Sequence, residues 1–102
     1  MTVVVAGVGS EKGFYTAMKA QEHRHKVYGV DDKELSDLKF FDLVREAPAC
    51  YYVKVDLSNE MMTIWELGKI HPDLVVDCMA DAKANAVLKE ICRQKRWEYK
   101  KV

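Results

Sequence analysis

The chain has 102 residues, and its 16 basic and 16 acidic side chains give a formal net charge of zero. This length predicts a single domain over residues 1–102, and the balanced charge without a basic stripe argues against nucleic acid as a partner. No apolar run approaches the ~18 residues of a membrane-spanning helix, so we predict no membrane insertion.

Five apolar runs recur every 23 or 24 residues, beginning at Val3, Val27, Tyr51, Leu74 and Trp97. Helical patterns fill the intervals between them. A period of this size corresponds to one strand followed by one helix, so the sequence predicts five strands alternating with four helices. The predicted strands are 2–6, 26–30, 51–55, 74–79 and 97–101.

The four predicted helices follow from caps and apolar periodicity. The first spans 10–23 with Ser10 as N-cap, and the second begins at Asp32 and ends near Pro48. The third is capped by Ser58 and the fourth is an amphipathic helix after strand four. The residues expected to face inward are Phe14, Ala17, Met18 and Gln21; Leu35, Leu38, Phe41 and Val44; Met61, Ile64, Trp65 and Gly68; Ala84, Val87, Leu88, Ile91 and Cys92.

The strand order follows from which strands carry charge. The first strand is uninterrupted Val3-Val4-Val5, as expected for a central parallel strand that is buried on both faces. Strand three contains Lys54 and strand five alternates polar with apolar residues, which favours edge positions. We predict a three-layer α/β Rossmann-like fold with strand order 3-2-1-4-5 and two helices on each face. The alternative, the flavodoxin order 2-1-3-4-5, would bury Lys54.

The turn after strand one is the first candidate ligand site. Gly7 and Gly9 match the first two glycines of the dinucleotide-binding pattern G-x-G-x-x-G, but Lys12 occupies the third place and Gly13 follows one residue later. Asp31 and Asp32 end strand two, where a carboxylate can bind a ribose hydroxyl and repel a 2′-phosphate. Capping of a helix by Asp32 is an equally simple explanation of that residue.

The segments AGVGSEKG, VYGVDD, VKVDLSN and HPDLVVDCMA resemble the nucleotide-binding half of extended short-chain dehydrogenase/reductases, the sugar-nucleotide epimerase and dehydratase group. The resemblance covers residues 1–80. It implies a pyrophosphate site at Gly7, Gly9, Ser10 and Gly13, a ribose contact at Asp31, an adenine contact at Asp56 and Leu57, and residues 78–80 beside the cofactor.

Two departures from the family lead us to predict that no cofactor binds and that the chain catalyses no reaction. Ser10 stands where the family has its middle glycine, and a side chain there would crowd a phosphate. Catalysis in the family needs a Tyr-x-x-x-Lys pair beyond strand five, whereas the match formed by Tyr15 and Lys19 lies in the first helix. We also predict no metal site, because His23 and His25 are two residues apart at a helix end and point in different directions.

The sequence therefore predicts a monomeric Rossmann-like domain that is not an enzyme and has no catalytic activity of its own, as in a scaffold designed onto this backbone. The alternative is an NAD-binding module, or the truncated N-terminal half of a short-chain dehydrogenase/reductase-like enzyme. A domain that recruits a protein partner is a third possibility, although no partner surface is evident. Cys50, Cys78 and Cys92 have no close pairing, which is typical of the cytoplasm.

Overall fold

The structure, a computed structural model, describes residues 1–38 and 50–102. Its elements are β1 (Thr2–Ala6), α1 (Glu11–Glu22), β2 (Lys26–Asp31), a 3-10 turn (Leu35–Asp37), β3 (Cys50–Lys54), α2 (Glu60–Ile70), β4 (Leu74–Asp77), α3 (Ala82–Lys95) and β5 (Glu98–Lys101). The strands form one parallel sheet in the order β3-β2-β1-β4-β5. The predicted Rossmann-like strand order is confirmed.

The burial of charged and apolar residues explains this order. Val4 and Val5 of β1 are completely buried, as a strand covered on both faces requires. Lys54 lies at the outer edge of the sheet with an exposed side chain, which pairs with Glu34. The position of this lysine excludes the flavodoxin order, in which β3 would be central.

Two apolar cores lie on opposite faces of the sheet, because successive side chains of a strand alternate between its faces. Val3 and Val5 pack with Ala17 of α1 in one core. Val4 packs in the other core with Leu67 of α2 and Leu88 of α3. In the described part of the chain, α1 thus covers one face, and α2 and α3 cover the other. None of the helices within residues 1–38 and 50–102 is long and apolar enough to cross a membrane.

The predicted start of the second helix at Asp32 is wrong. Glu34 precedes a short 3-10 turn, and Leu38 returns to extended backbone with φ −101° and ψ 143°. The backbone just before this turn is held in place by Tyr52. The single hydroxyl proton of Tyr52 is shared between the carbonyls of Asp31 (3.0 Å) and Lys33 (2.5 Å). The rest of that predicted helix, including Phe41, Val44 and its end near Pro48, falls on 39–49, outside the described residues.

The inward face predicted for the third helix, which is α2, is also wrong. Its N-cap is Asn59 instead of Ser58, because the Ser58 hydroxyl donates to Asp56 (2.6 Å). Thr63 and Leu67 form the buried stripe, and the Thr63 hydroxyl is satisfied by the Asn59 carbonyl at 2.7 Å. Of the four residues that we expected to face inward, Met61 and Trp65 are exposed, at 79% and 67%, and Ile64 and Gly68 are only half-buried.

Candidate functional site

A cavity of about 350 Å³ opens beyond the carboxyl ends of β1, β2 and β4. The strand connections change direction between β1 and β4, and ligands of such sheets bind at this switch point. Three loops line the cavity. The lining residues are Gly7, Gly9 and Ser10; Asp31, Asp32 and Lys33; Cys78, Met79, Ala80 and Asp81. Five of the eight predicted site residues therefore converge here: Gly7, Gly9, Ser10, Asp31 and Asp32.

A larger groove of about 420 Å³ lies elsewhere, between α3 and β5. Its floor is apolar, with Cys92, Trp97 and Tyr99 among the lining residues. The charged pair at its side, Glu90 and Arg93, is internally neutralised by hydrogen bonds between the two side chains. This groove lacks the convergent polar groups of the strand-end cavity, which is therefore the candidate site.

The turn after β1 needs glycine at two cavity positions, for different reasons. Gly7 has φ +81°, a backbone conformation that residues with a side chain rarely adopt. At Gly9 the constraint is space, because a Cβ atom would lie 2.7 Å from Oδ2 of Asp31. The Gly9 N–H donates to that same oxygen at 2.7 Å. The first turn and the end of β2 are thereby joined directly.

Ser10 is the N-cap of α1. Its backbone is extended, with φ −84° and ψ 160°, so the turn does not require glycine at this position. The hydroxyl donates to the Gly7 carbonyl at 2.8 Å and accepts from the Gly13 N–H at 3.0 Å. The side chain that we expected to crowd a phosphate is thus bonded to the backbone of its own turn.

Gly13 lies inside α1 and is not part of the cavity lining. A Cβ atom there would come within 2.1 Å of the Gly7 carbonyl oxygen, so α1 can pack against the turn only with glycine at this place. The first N–H groups of a helix have no intrahelical acceptor and carry partial positive charge. The Gly13 N–H already donates to the Ser10 hydroxyl. The N–H groups of Glu11 and Lys12 are therefore the first-turn donors that could bind an anion.

Asp31 is the most constrained acidic residue of the site. It is only 3% exposed, and its second carboxylate oxygen, Oδ1, accepts the Asp32 N–H at 2.8 Å. The ammonium of Lys33 lies 3.6 Å from Oδ1 of Asp31 and 3.8 Å from Oδ1 of Asp32. Burial and the nearby Asp31 raise the pKa of the Tyr52 hydroxyl well above its usual range, so it remains a donor at neutral pH.

The last two predicted site residues, Asp56 and Leu57, do not line the cavity. Leu57 is a core residue with 2% exposure. The Asp56 carboxylate accepts two hydrogen bonds from Ser58, which hold the pKa of the Asp56 carboxyl below its usual value. Their predicted contact with an adenine stays a prediction.

Two cavity residues, Lys33 and Asp81, were missed by the sequence analysis. Lys33 directly follows Asp31 and Asp32, so the predicted position of the two aspartates could have placed Lys33 at the cavity as well. Asp81 is the N-cap of α3, accepting the Lys83 N–H at 3.1 Å. A cap of this type at the end of β4 is the signal that could have placed it at the cavity rim.

The sequence matches no protein-family model and no curated protein at a significant level. Solved structures match the fold. The dTDP-glucose 4,6-dehydratase of Bacillus anthracis in complex with NAD aligns with a TM-score of 0.79 and 14% identity over 99% of this chain and 36% of that chain. The UDP-glucose 4-epimerase of Thermus thermophilus in complex with NAD aligns with a TM-score of 0.75 and 18% identity over 94% of this chain and 35% of that chain. The L-threonine dehydrogenase of Clostridium difficile aligns with a TM-score of 0.81 and 8% identity over 98% of this chain and 35% of that chain.

These matches confirm, at the level of the fold, the resemblance to the nucleotide-binding half of extended short-chain dehydrogenase/reductases. The chain spans about a third of the length of the structures that it matches. The prediction of a non-enzymatic protein is wrong, because the structures that align with nearly all of the chain are enzymes, of which it corresponds to a part. Nothing in these matches supports a designed scaffold.

Proposed function

We propose that this chain binds NAD in the strand-end cavity, as the nucleotide-binding part of an NAD-dependent enzyme of the epimerase or dehydratase type. The observation that carries the proposal is the direct bond from the Gly9 N–H to the buried Asp31 carboxylate. This bond places a glycine turn, a helix N-terminus and an acidic strand end around one cavity. Two of the matched enzymes are complexes with NAD, which supports the same choice of ligand.

The first turn provides the chemistry that a pyrophosphate requires. Glycine at positions 7 and 9 lets a ligand approach the backbone without meeting a side chain. The N–H groups of Glu11 and Lys12 then face the anion at the positive end of α1. Because the Ser10 hydroxyl is held by the turn's own backbone, it leaves these donors available.

The end of β2 provides recognition of a ribose. Asp32 is exposed and Asp31 contributes a buried carboxylate to the cavity wall. Two carboxylates accept hydrogen bonds from a ribose diol and repel a 2′-phosphate, and the single Lys33 ammonium offsets only part of their charge. We therefore expect NAD to bind in preference to NADP.

NAD held here would supply acceptance and return of a hydride. The residues of this chain bind and orient it: the turn holds the pyrophosphate and the aspartates hold the ribose. Residues 78–81 form the opposite wall. In the enzyme type proposed, the substrate is a small sugar nucleotide.

Isothermal titration calorimetry and thermal denaturation with NAD test the proposal. Ligand at 100 times its Kd adds about 2.7 kcal/mol to the free energy of unfolding. Ala80→Glu places a negative charge at an exposed position of the cavity wall and should weaken NAD binding by about tenfold or more, since about 1.4 kcal/mol suffices for that factor.

Ala86→Glu is the matched control, because Ala86 is exposed on α3 outside this cavity. It should bind NAD like the parent chain. The proposal fails if the parent binds no NAD at millimolar concentration, or if the two variants lose affinity equally.

A further inference from the structure

A buried carboxylate that the proposed function does not use lies directly behind the cavity. Asp77, the last residue of β4, is completely buried. Its Oδ1 accepts the Met79 N–H at 2.9 Å, and its Oδ2 accepts the Asn85 side-chain amide at 2.9 Å and the Tyr99 hydroxyl at 2.6 Å. Together these bonds compensate for the burial of the carboxyl group, which would be unfavourable without hydrogen-bond partners.

Asn85 and a fourth side chain, Lys101, also fix the carbonyl of Met79. That oxygen accepts from Nδ2 of Asn85 at 3.0 Å and from the Lys101 ammonium at 2.9 Å. Both backbone polar groups of Met79 are thus held by side chains from β4, α3 and β5. We call these four side chains, Asp77, Asn85, Tyr99 and Lys101, the Met79 clamp.

The Met79 clamp determines what the cavity wall presents to a ligand. Residues 78–81 form the wall on the β4 side, across β1 from Asp31. The Met79 sulfur lies against the glycine turn, 3.0 Å from where a Cβ atom on Gly7 would be. Because the N–H and C=O of Met79 are bonded within the protein, Met79 offers the cavity its apolar side chain and no free backbone hydrogen-bonding group.

We propose that the Met79 clamp consists of positioning residues that hold this wall in place for the second nucleotide of NAD, while Asp31 holds the adenosine ribose. The proposal rests on the proposed function. Clamp residues touch no ligand and act through the position of Met79. They should therefore affect NAD, which spans both halves of the cavity, more than AMP, which fills only the Asp31 half.

The test compares the Kd values of NAD and AMP in Tyr99→Phe and Lys101→Met, because replacing the buried Asp77 itself risks unfolding. Each variant removes one bond of the Met79 clamp and keeps most of the side-chain volume. We expect NAD affinity to fall about five- to tenfold, because Met79 would then occupy its binding position for only part of the time, and AMP affinity to change by less than about twofold. Amide hydrogen exchange at Met79, followed by NMR, should accelerate by about tenfold as the loop loosens.

Lys100→Met is the matched control, because Lys100 is exposed on the same strand and lines a different groove, beside α1. It should leave both affinities and the Met79 exchange rate unchanged. Equal loss of NAD and AMP affinity in the clamp variants, or unchanged exchange at Met79, overturns this inference while leaving NAD binding established. A parent chain that binds neither nucleotide overturns the proposed function and this inference with it.

Discussion

Single hydroxyl and amide groups determine the shape of the first turn. Ser10 joins the Gly7 carbonyl to the Gly13 N–H, and Gly9 joins the turn to Asp31 at the end of β2. The two Ser10 bonds span three residues each, whereas the Gly9 bond connects the ends of two neighbouring strands. The difference matters for prediction, because a capping serine has a local sequence signal and a contact over 22 residues has none.

At Ser10 we predict a loss of stability on removal of the cap. Ser10→Ala should lower the free energy of unfolding by about 1 kcal/mol, and Ser10→Gly should lower it by only a few tenths. Urea denaturation measures both. Ser36→Ala, at an exposed position of the 3-10 turn, is the control. An effect at Ser10 no larger than that at Ser36 would contradict the capping role.

At the scale of elements, the sequence contained enough information for the sheet but not for one helix face. Lys54 and the alternation in β5 identified the edge strands correctly, because a lysine in the middle of a strand favours an edge, where solvent reaches its ammonium. The face of α2 was misassigned because Met61 and Trp65 are apolar residues at helical spacing. The true stripe contains Thr63, whose burial depends on a bond to Asn59 that hydrophobicity does not reveal.

Substitutions in α2 provide a direct test of this face. Leu67→Ala should cost about 2–5 kcal/mol, because it empties a completely buried position. Trp65→Ala should change the free energy of unfolding by less than about 0.5 kcal/mol, because its ring is exposed beside Lys69. Equilibrium denaturation in urea measures both values. A larger loss at Trp65 than at Leu67 would restore the face that the sequence indicated.

At the scale of the whole molecule, prediction was best where residues follow the strand ends. Gly7, Gly9 and Asp31 converge as the rule for parallel sheets requires. The Met79 clamp was not predicted, since its bonds connect Asp77 with Tyr99, 22 residues away, through a geometry that only the folded sheet creates. The prediction of where the second helix starts was wrong for the same reason. Tyr52 fixes the backbone of Asp31 and Lys33, which lie 21 and 19 residues earlier in the chain.

The pH dependence of global stability should contain a contribution from Cys92. Burial, and secondarily the nearby Asp77, raise the pKa of this thiol from 9.0 to about 11. The unfolded chain therefore loses the Cys92 proton first, so the contribution is complete below pH 9 and disappears as the pH rises through about 11. It amounts to at most about 3 kcal/mol, since one pKa unit corresponds to about 1.36 kcal/mol.

The measurement is the free energy of unfolding between pH 8 and pH 11 for the parent chain and for Cys92→Ala. Lysine and tyrosine side chains titrate in both proteins, so the difference between the two curves isolates the thiol. That difference should shrink as the pH increases. Parallel curves would show that the thiol titrates alike in the folded and unfolded chains.

The tight packing of Gly13 against Gly7 has a kinetic consequence. The carbonyl oxygen of Gly7 lies only 2.1 Å from where a Cβ atom on Gly13 would be, so the loop and the helix that follows it are in direct contact, and we expect them to move together. The N–H groups that bind the pyrophosphate would therefore be in place before a dinucleotide arrives, so that binding costs little free energy for ordering them. We expect capture in a single kinetic phase whose rate rises linearly with ligand concentration, without a slow isomerisation afterwards.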